Sequence, residues 1–258
     1  MKELGHHLCL GLVDRRVLTA SVAQRRLVAR STLRIGRDHR LLAFRAADTH
    51  LHVEALCDRR SAGRLARRLE LSLHKVIGYP VAFEPARIWP IKSQRHLYNA
   101  ARYILRQDER HGVDIDPWAE ASNLPDLLGL RVIGRHTTIE VGRCLPRMTA
   151  AELTAIVGLK ADQLTEGDHW IEAVDQLADA TAAAVALPQL RGRAAEVVVA
   201  RRAAAAVTRE VLDASALAAA LCTSERTARR LRAESPDPLQ SEAIRRQLRL
   251  RACGRRSG

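Results

Sequence analysis

The sequence predicts an α+β chain: a ferredoxin-like antiparallel sheet with helices, followed by an all-α domain. Three observations carry this expectation. Over the first half, short apolar runs alternate with amphipathic stretches in the order β-α-β-β-α-β-α. Beyond Thr149 the sequence is rich in alanine with helical periodicity, interrupted at Pro188, Pro236 and Pro238. A length of 258 residues is enough for two domains, each with its own core.

The elements follow in order. "GHHLCLGLV" (5–13) is short, apolar and strand-like, and "SVAQRRLVARSTLRIG" spaces its apolar residues as a helix that Gly36 ends. "HRLLAFRAADTHLHVEALC" holds two strands joined at Asp48 and Thr49. In "RRSAGRLARRLELSLHKVIG" the residues Leu65, Leu69, Leu73, Val76 and Ile77 form one apolar stripe, closed by Gly78. "PVAFEPARIWPI" is extended and proline-interrupted, suiting an edge strand or a long loop. "SQRHLYNAARYILRQDERHG" reads as a helix from Gln94 to His111 with Gly112 as its stop. These elements make a first domain over 1–131 with the helices on one face of the sheet. "VIGRHTTIEVGRCLPR" is irregular, and Thr149 with Glu152 has the spacing of a capping box that opens a new helical region. Residues 132–188 are then a linker and helical segment, and 189–258 a helical domain.

Composition narrows the function classes. The formal net charge of +13 implies long-range attraction for polyanions, nucleic acid being the commonest, although an arginine- and alanine-rich composition also follows from a GC-rich genome. Aromatics are 3% of residues, so extensive base stacking on aromatic platforms, a common way to hold single strands, would have few residues to use. No window approaches the roughly eighteen apolar residues of a membrane span, so no membrane partner is expected. Five cysteines without paired or metal-ligand spacing suit a reducing cytoplasm.

The stretch "AADTHLHVEAL" (46–56) sets two imidazoles in an apolar strand. Residues i and i+2 of a strand face the same side about 6.6 Å apart, so His50 and His52 can aim at one point, with Glu54 on the same face. Neutral imidazoles each offer a lone pair to a cation, although an isolated His-x-His is more often a surface or hydrogen-bonded pair. On the Gln94–His111 helix, Tyr103 and Gln107 lie one turn apart on one face. Packed beside the histidines, that face would bring a phenol to the ion and an amide oxygen to its shell; otherwise Tyr103 is a core aromatic and Gln107 a solvated residue. Tyr98 is the rival tyrosine, with the cation Arg102 where a polar ligand would stand.

In this order, "GHHLCLGLVD", "DTHLHVEAL", an arginine-rich helix, "KSQRHLYNAARYILRQDERHG" and "ASNLPDLLGLR" resemble the REP-associated tyrosine transposases, single-tyrosine members of the HUH nuclease superfamily. The resemblance implies that His50, His52 and Gln107 hold a divalent metal, Mg2+ or Mn2+, and that Tyr103 is the nucleophile. Imidazoles alone would suit a softer ion such as zinc. It further implies cleavage and rejoining of single-stranded, hairpin DNA through a covalent 5′-phosphotyrosine.

In "SALAAALCTSERTARRLRAE" (215–234) two short helices are expected, Leu217 and Leu221 facing inward on the first and Ala228 and Leu231 on the second, with Ser224 as N-cap. The short connection has the length of a helix-turn-helix whose second helix would turn Arg226, Arg229 and Arg230 outward, against duplex DNA; the alternative is a solvated face of an ordinary bundle. This block resembles the DNA-binding end of bacterial replication initiators. Taken together the sequence reads as a transposase-like, nucleoid-associated bacterial protein of the cytoplasm, monomeric or a homodimer. The alternative is a non-catalytic, domesticated DNA-binding regulator that works through the helix-turn-helix.

Overall fold

The protein is described from a computed structural model, which covers residues 3–47, 49–78, 82–107, 116 and 118–256. The chain divides into two compact units. One comprises residues 1–127 with 133–157, the other 128–132 with 158–258. The stretch 132–188, treated in the sequence as one linker and helical segment, is therefore shared between both units.

In the first unit β1 (Gly5–Gly11), β2 (Leu41–Ala47), β3 (His50–Ala55) and β4 (Arg87–Ile91) form a four-stranded antiparallel sheet in the order β2-β3-β1-β4. Helices α1 (Val22–Gly36), α2 (Arg59–Ile77) and α3 (Gln94–Leu105) connect and cover it. The turn residue Asp48 and the expected end of the third helix at His111 and Gly112 lie outside the described residues; the described helix ends at Leu105.

Local chemistry accounts for the helix ends. Ser21 accepts a hydrogen bond from the Gln24 N–H at 3.2 Å while the Gln24 side chain returns to the Ser21 backbone, closing a capping box. Asp58 caps α2 and Ser93 caps α3 by accepting from the Ser61 and His96 N–H groups, without the return bond. At the other end of α2, Gly78 takes φ +69°, a left-handed conformation that terminates a helix at little cost only for glycine.

Strand alternation divides the sheet into two chemically different faces. Leu8 and Leu10 of β1, Leu51 and Val53 of β3, and Phe44 of β2 face α1 and α2, forming a core with Val28, Leu33, Leu65, Leu69 and Leu73. His7 and Cys9 of β1 and His50, His52 and Glu54 of β3 point the other way, toward α3, which packs on β2 and β3. The helices thus cover both faces, not one as expected. The reason lies in α3, whose apolar residues Leu97, Ala100, Ala101, Ile104 and Leu105 are buried and need a sheet surface of their own.

The sheet's two rims are managed differently. Along β2 the chain returns antiparallel: Ala46 N–H donates to the Ala121 carbonyl at 2.9 Å, and Asn123 bonds the strand through both ends of its amide. Asn123 Oδ1 accepts from Phe44 N–H at 2.9 Å and Nδ2 donates to the Leu42 carbonyl at 2.8 Å. Nearby, Arg26 grips Glu120 with two hydrogen bonds of 2.7 and 2.9 Å, both side chains buried. The opposite rim, β4, carries Pro90, a residue that edge strands tolerate because it withholds a backbone donor.

Residues 132–147, irregular in the sequence reading, contain a helix over Arg135–Cys144. Its β-branched residues Thr137, Thr138, Ile139 and Val141 argue against helix locally, and tertiary bonds override them. Asp126 Oδ1 accepts from Gly134 N–H at 2.8 Å, and Thr138 donates to the Asp126 carbonyl. The Thr149–Glu152 cap forms as one half of a box: Thr149 accepts from Glu152 N–H, while the Glu152 carboxylate reaches α3 instead.

The second unit is all helical. Trp170, Leu177, Ala180, Val197, Ala200 and Ala204 meet Leu217, Leu221, Ala228, Leu231, Ile244 and Leu248 in one core. Helices run over Ala214–Ala220 and Glu225–Ala233 with a short turn between them, and a long helix over Pro238–Arg256 closes the unit. Asp213 and Ser224 cap the two short helices. No helix among the described residues is long and apolar enough to cross a membrane.

Replacing Asn123 by leucine keeps the bulk but leaves Phe44 N–H and the Leu42 carbonyl buried and unpaired. Urea unfolding of the Asn123→Leu protein should show a loss of about 2–4 kcal/mol.

Candidate active site

The α3-facing side of the sheet gathers rings. His50 and His52 have centroids 6.2 Å apart, as i, i+2 neighbours on β3 should. The ring of Tyr103 stands edge-on to His52, centroids 5.9 Å apart at 87°. Tyr103 is 36% exposed, so it rims the site from α3 and is not a core aromatic. Three of the residues singled out in the sequence are thus brought to one place.

Gln107 follows the end of α3 and is 1% exposed, buried and not solvated. The same helix end is pinned to the sheet by Arg45, cross-strand partner of His52, whose Nη1 donates to the Leu105 carbonyl at 3.0 Å. Tyr98 is turned elsewhere: its hydroxyl donates to Glu152 at 2.9 Å and Arg102 lies 5.6 Å over its ring. The rival tyrosine is therefore committed to a carboxylate on the Ala150–Ala155 helix, and its hydroxyl is pushed up from the usual range first by that hydrogen bond.

His7 belongs to this site and was not singled out from the sequence. Its ring lies 5.3 Å from that of His52 and 6.1 Å from that of Tyr103, with Nε2 3.1 Å from His52 Nδ1. Its sequence neighbour His6 goes to the other face, fully buried, with Nδ1 donating to the Cys57 carbonyl at 2.9 Å. The available signal is parity: with Leu8 and Leu10 in the core, His7 and Cys9 must share the face of His52.

Electrostatics favour neutral groups here. Burial, and secondarily His96, lowers the His7 pKa to about 4. Glu54, opposite His7 in the β1–β3 register, has no exposed surface and no hydrogen-bond partner for either oxygen among the described residues. Burial pushes its carboxyl well above the usual range, toward the neutral acid.

Two details bear on metal binding. Among the described residues no three His, Cys, Asp or Glu side chains are grouped to hold an ion, so a site must draw on other donors such as an amide. The histidines themselves fit the role. His50 Nδ1 lies 2.8 Å from Thr49 Oγ1 and His52 Nδ1 lies 3.1 Å from His7, the outer hydrogen bonds that direct Nε2 of a ligating imidazole. The ring of His50 rests on Gly11, where a Cβ would come within 2.8 Å of it.

In the second unit, Arg226, Arg229 and Arg230 are exposed on the Glu225–Ala233 helix, while Ala228 and Leu231 are buried. Arg229 pairs with Glu225 at 3.1 Å and Arg230 with Glu234 at 3.6 Å, contacts that solvent weakens. Comparison with family models, curated proteins and solved structures finds no match for this chain.

The depressed His7 pKa has a stability consequence. Between its unfolded value near 6.5 and about 4 the unfolded chain binds the proton first, so stability falls as pH drops through that window. The contribution is roughly 3 kcal/mol when complete. Urea titrations from pH 7 to pH 4 should show a shallower decline for His7→Gln than for the unaltered protein.

Proposed function

We propose that the first unit is a metal-dependent nuclease and strand transferase for single-stranded, hairpin DNA, with Tyr103 as nucleophile. The observation that carries this reading is the edge-on seating of an exposed tyrosine against a paired-histidine strand whose Nδ1 atoms are already engaged. The sheet order β2-β3-β1-β4, with one helix after β1 and another after β3, supports a ferredoxin-like core of the kind such enzymes share.

In this reading His50, His52 and Gln107 hold the ion. Bound magnesium or manganese polarises the scissile phosphate and offsets charge on its oxygens. Thr49 accepts from His50 Nδ1–H and His7 from His52 Nδ1–H, so that each ring offers Nε2 as its lone pair. His7 can accept because burial keeps it neutral. Tyr103 Oη bonds to phosphorus as the P–O3′ bond breaks; the phenol gives up its proton and the departing 3′ oxygen takes one up. The phosphotyrosine keeps the bond energy for rejoining.

The second unit serves as a helix-turn-helix in the same reading. Two short capped helices with inward Leu217, Leu221, Ala228 and Leu231 and outward Arg226, Arg229 and Arg230 support it. These arginines grip phosphates of duplex DNA, setting affinity and salt dependence. A cytoplasmic, nucleoid-associated protein follows from such substrates.

Incubated with labelled hairpin single strands and magnesium or manganese, the protein should form denaturant-resistant adducts. Tyr103→Phe should abolish them and His52→Ala should reduce them at least 100-fold, while Tyr98→Phe leaves them intact. Duplex binding without adducts under either metal would instead identify a non-catalytic regulator. Replacing Arg226, Arg229 and Arg230 by alanine should weaken duplex binding and lower its salt slope by about 2–3.

A further inference from the structure

Trp89 occupies an unusual position for so large an apolar side chain. It lies on the edge strand β4 and is 44% exposed, while Ile88 beside it packs toward the α1–α2 core. One exposed indole means little alone. Its surroundings are what distinguish it.

The register pairs Trp89 with His7, placing it on the ring-bearing face, and the two rings lie 5.4 Å apart at 47°. His7 in turn touches His52 and Tyr103. An unbroken row of rings therefore leads from Tyr103 across His7 to an open indole at the rim. Arg87, two residues before Trp89 and so on the same face, has a side chain 67% exposed, with a 3.7 Å ion pair to Glu84. Lys92, Arg95 and His96, just after the strand, are exposed as well.

We propose that Trp89 is a stacking platform for an unpaired base of single-stranded DNA, with Arg87 holding the adjoining phosphate. The inference rests on the single-strand reading of the Tyr103 site and specifies how the strand is gripped there. Flat aromatic surface next to cations matches a polyanion that presents free π faces. A duplex keeps those faces stacked inside, and an apolar protein partner would not call for the neighbouring cations. Trp89 is two ring contacts from Tyr103, so the stacked base lies roughly one or two nucleotides from the attacked phosphate.

The test uses the full chain carrying Tyr103→Phe, which holds DNA without cutting it, and measures anisotropy of labelled single strands. Adding Trp89→Ala should weaken binding about 10-fold, and Trp89→Phe should restore most of it. Base-containing strands should quench tryptophan emission, and a strand with abasic sites should not; in the Trp89→Phe protein, where Trp118 and Trp170 remain, the quenching should vanish. Unchanged affinity in Trp89→Ala, or equal losses for single strands and duplex, would overturn the platform. Adducts at Tyr103 together with indifference to Trp89 would defeat this inference alone. A Trp89-dependent grip with no adduct would defeat the cleavage reading and leave the platform standing.

Discussion

The pairing register of β1 with β3 is the constraint on which the first unit depends. Leu8 opposite Val53 and Cys9 opposite His52 send apolar side chains to the α1–α2 core and imidazoles to the α3 side. A slip of one residue would exchange the two sets, burying histidines among leucines and exposing the core. Core packing and the ring cluster are thus set by the same hydrogen-bond ladder. The apolar face supplies much of the folding free energy, and the placement of the strand-borne imidazoles follows from the same ladder.

Helix α3 completes the site because its two sides differ. Leu97, Ala101 and Ile104 seat it on the sheet, which leaves Tyr103 at the border between buried and exposed. It is also held by polar contacts: Tyr98 and Arg102, within the helix, engage Glu152, and Leu105 at its end receives Arg45. Tyr98 in particular is held by Glu152 and turned away from the ring cluster.

Much of this was legible in the residues. Alternation along β3 places His50 and His52 together, and the period of α3 separates buried Leu97 and Ala101 from Tyr103. In the second unit the inward set Leu217, Leu221, Ala228 and Leu231 follows directly from helical spacing, and Ser224 caps where its side chain predicts. What escaped was non-local. His6 and His7 are indistinguishable until one knows which parity of β1 faces the leucines. The helix at Arg135–Cys144 contradicts its own β-branched residues and forms through Asp126, outside the helix itself. Helices on both faces could not be foreseen either, since amphipathicity says that a helix has a partner surface but not which side of the sheet supplies it.

One rim of the sheet is paired by the Asn123 segment along β2, and the other, β4, is interrupted by Pro90, which has no N–H to offer a further strand. Among the described residues, neither presents an uninterrupted run of donors for zippering to a neighbour. Fibril-like growth by edge-to-edge recruitment would therefore meet a break in its template at Pro90, which favours assembly between copies through side-chain surfaces.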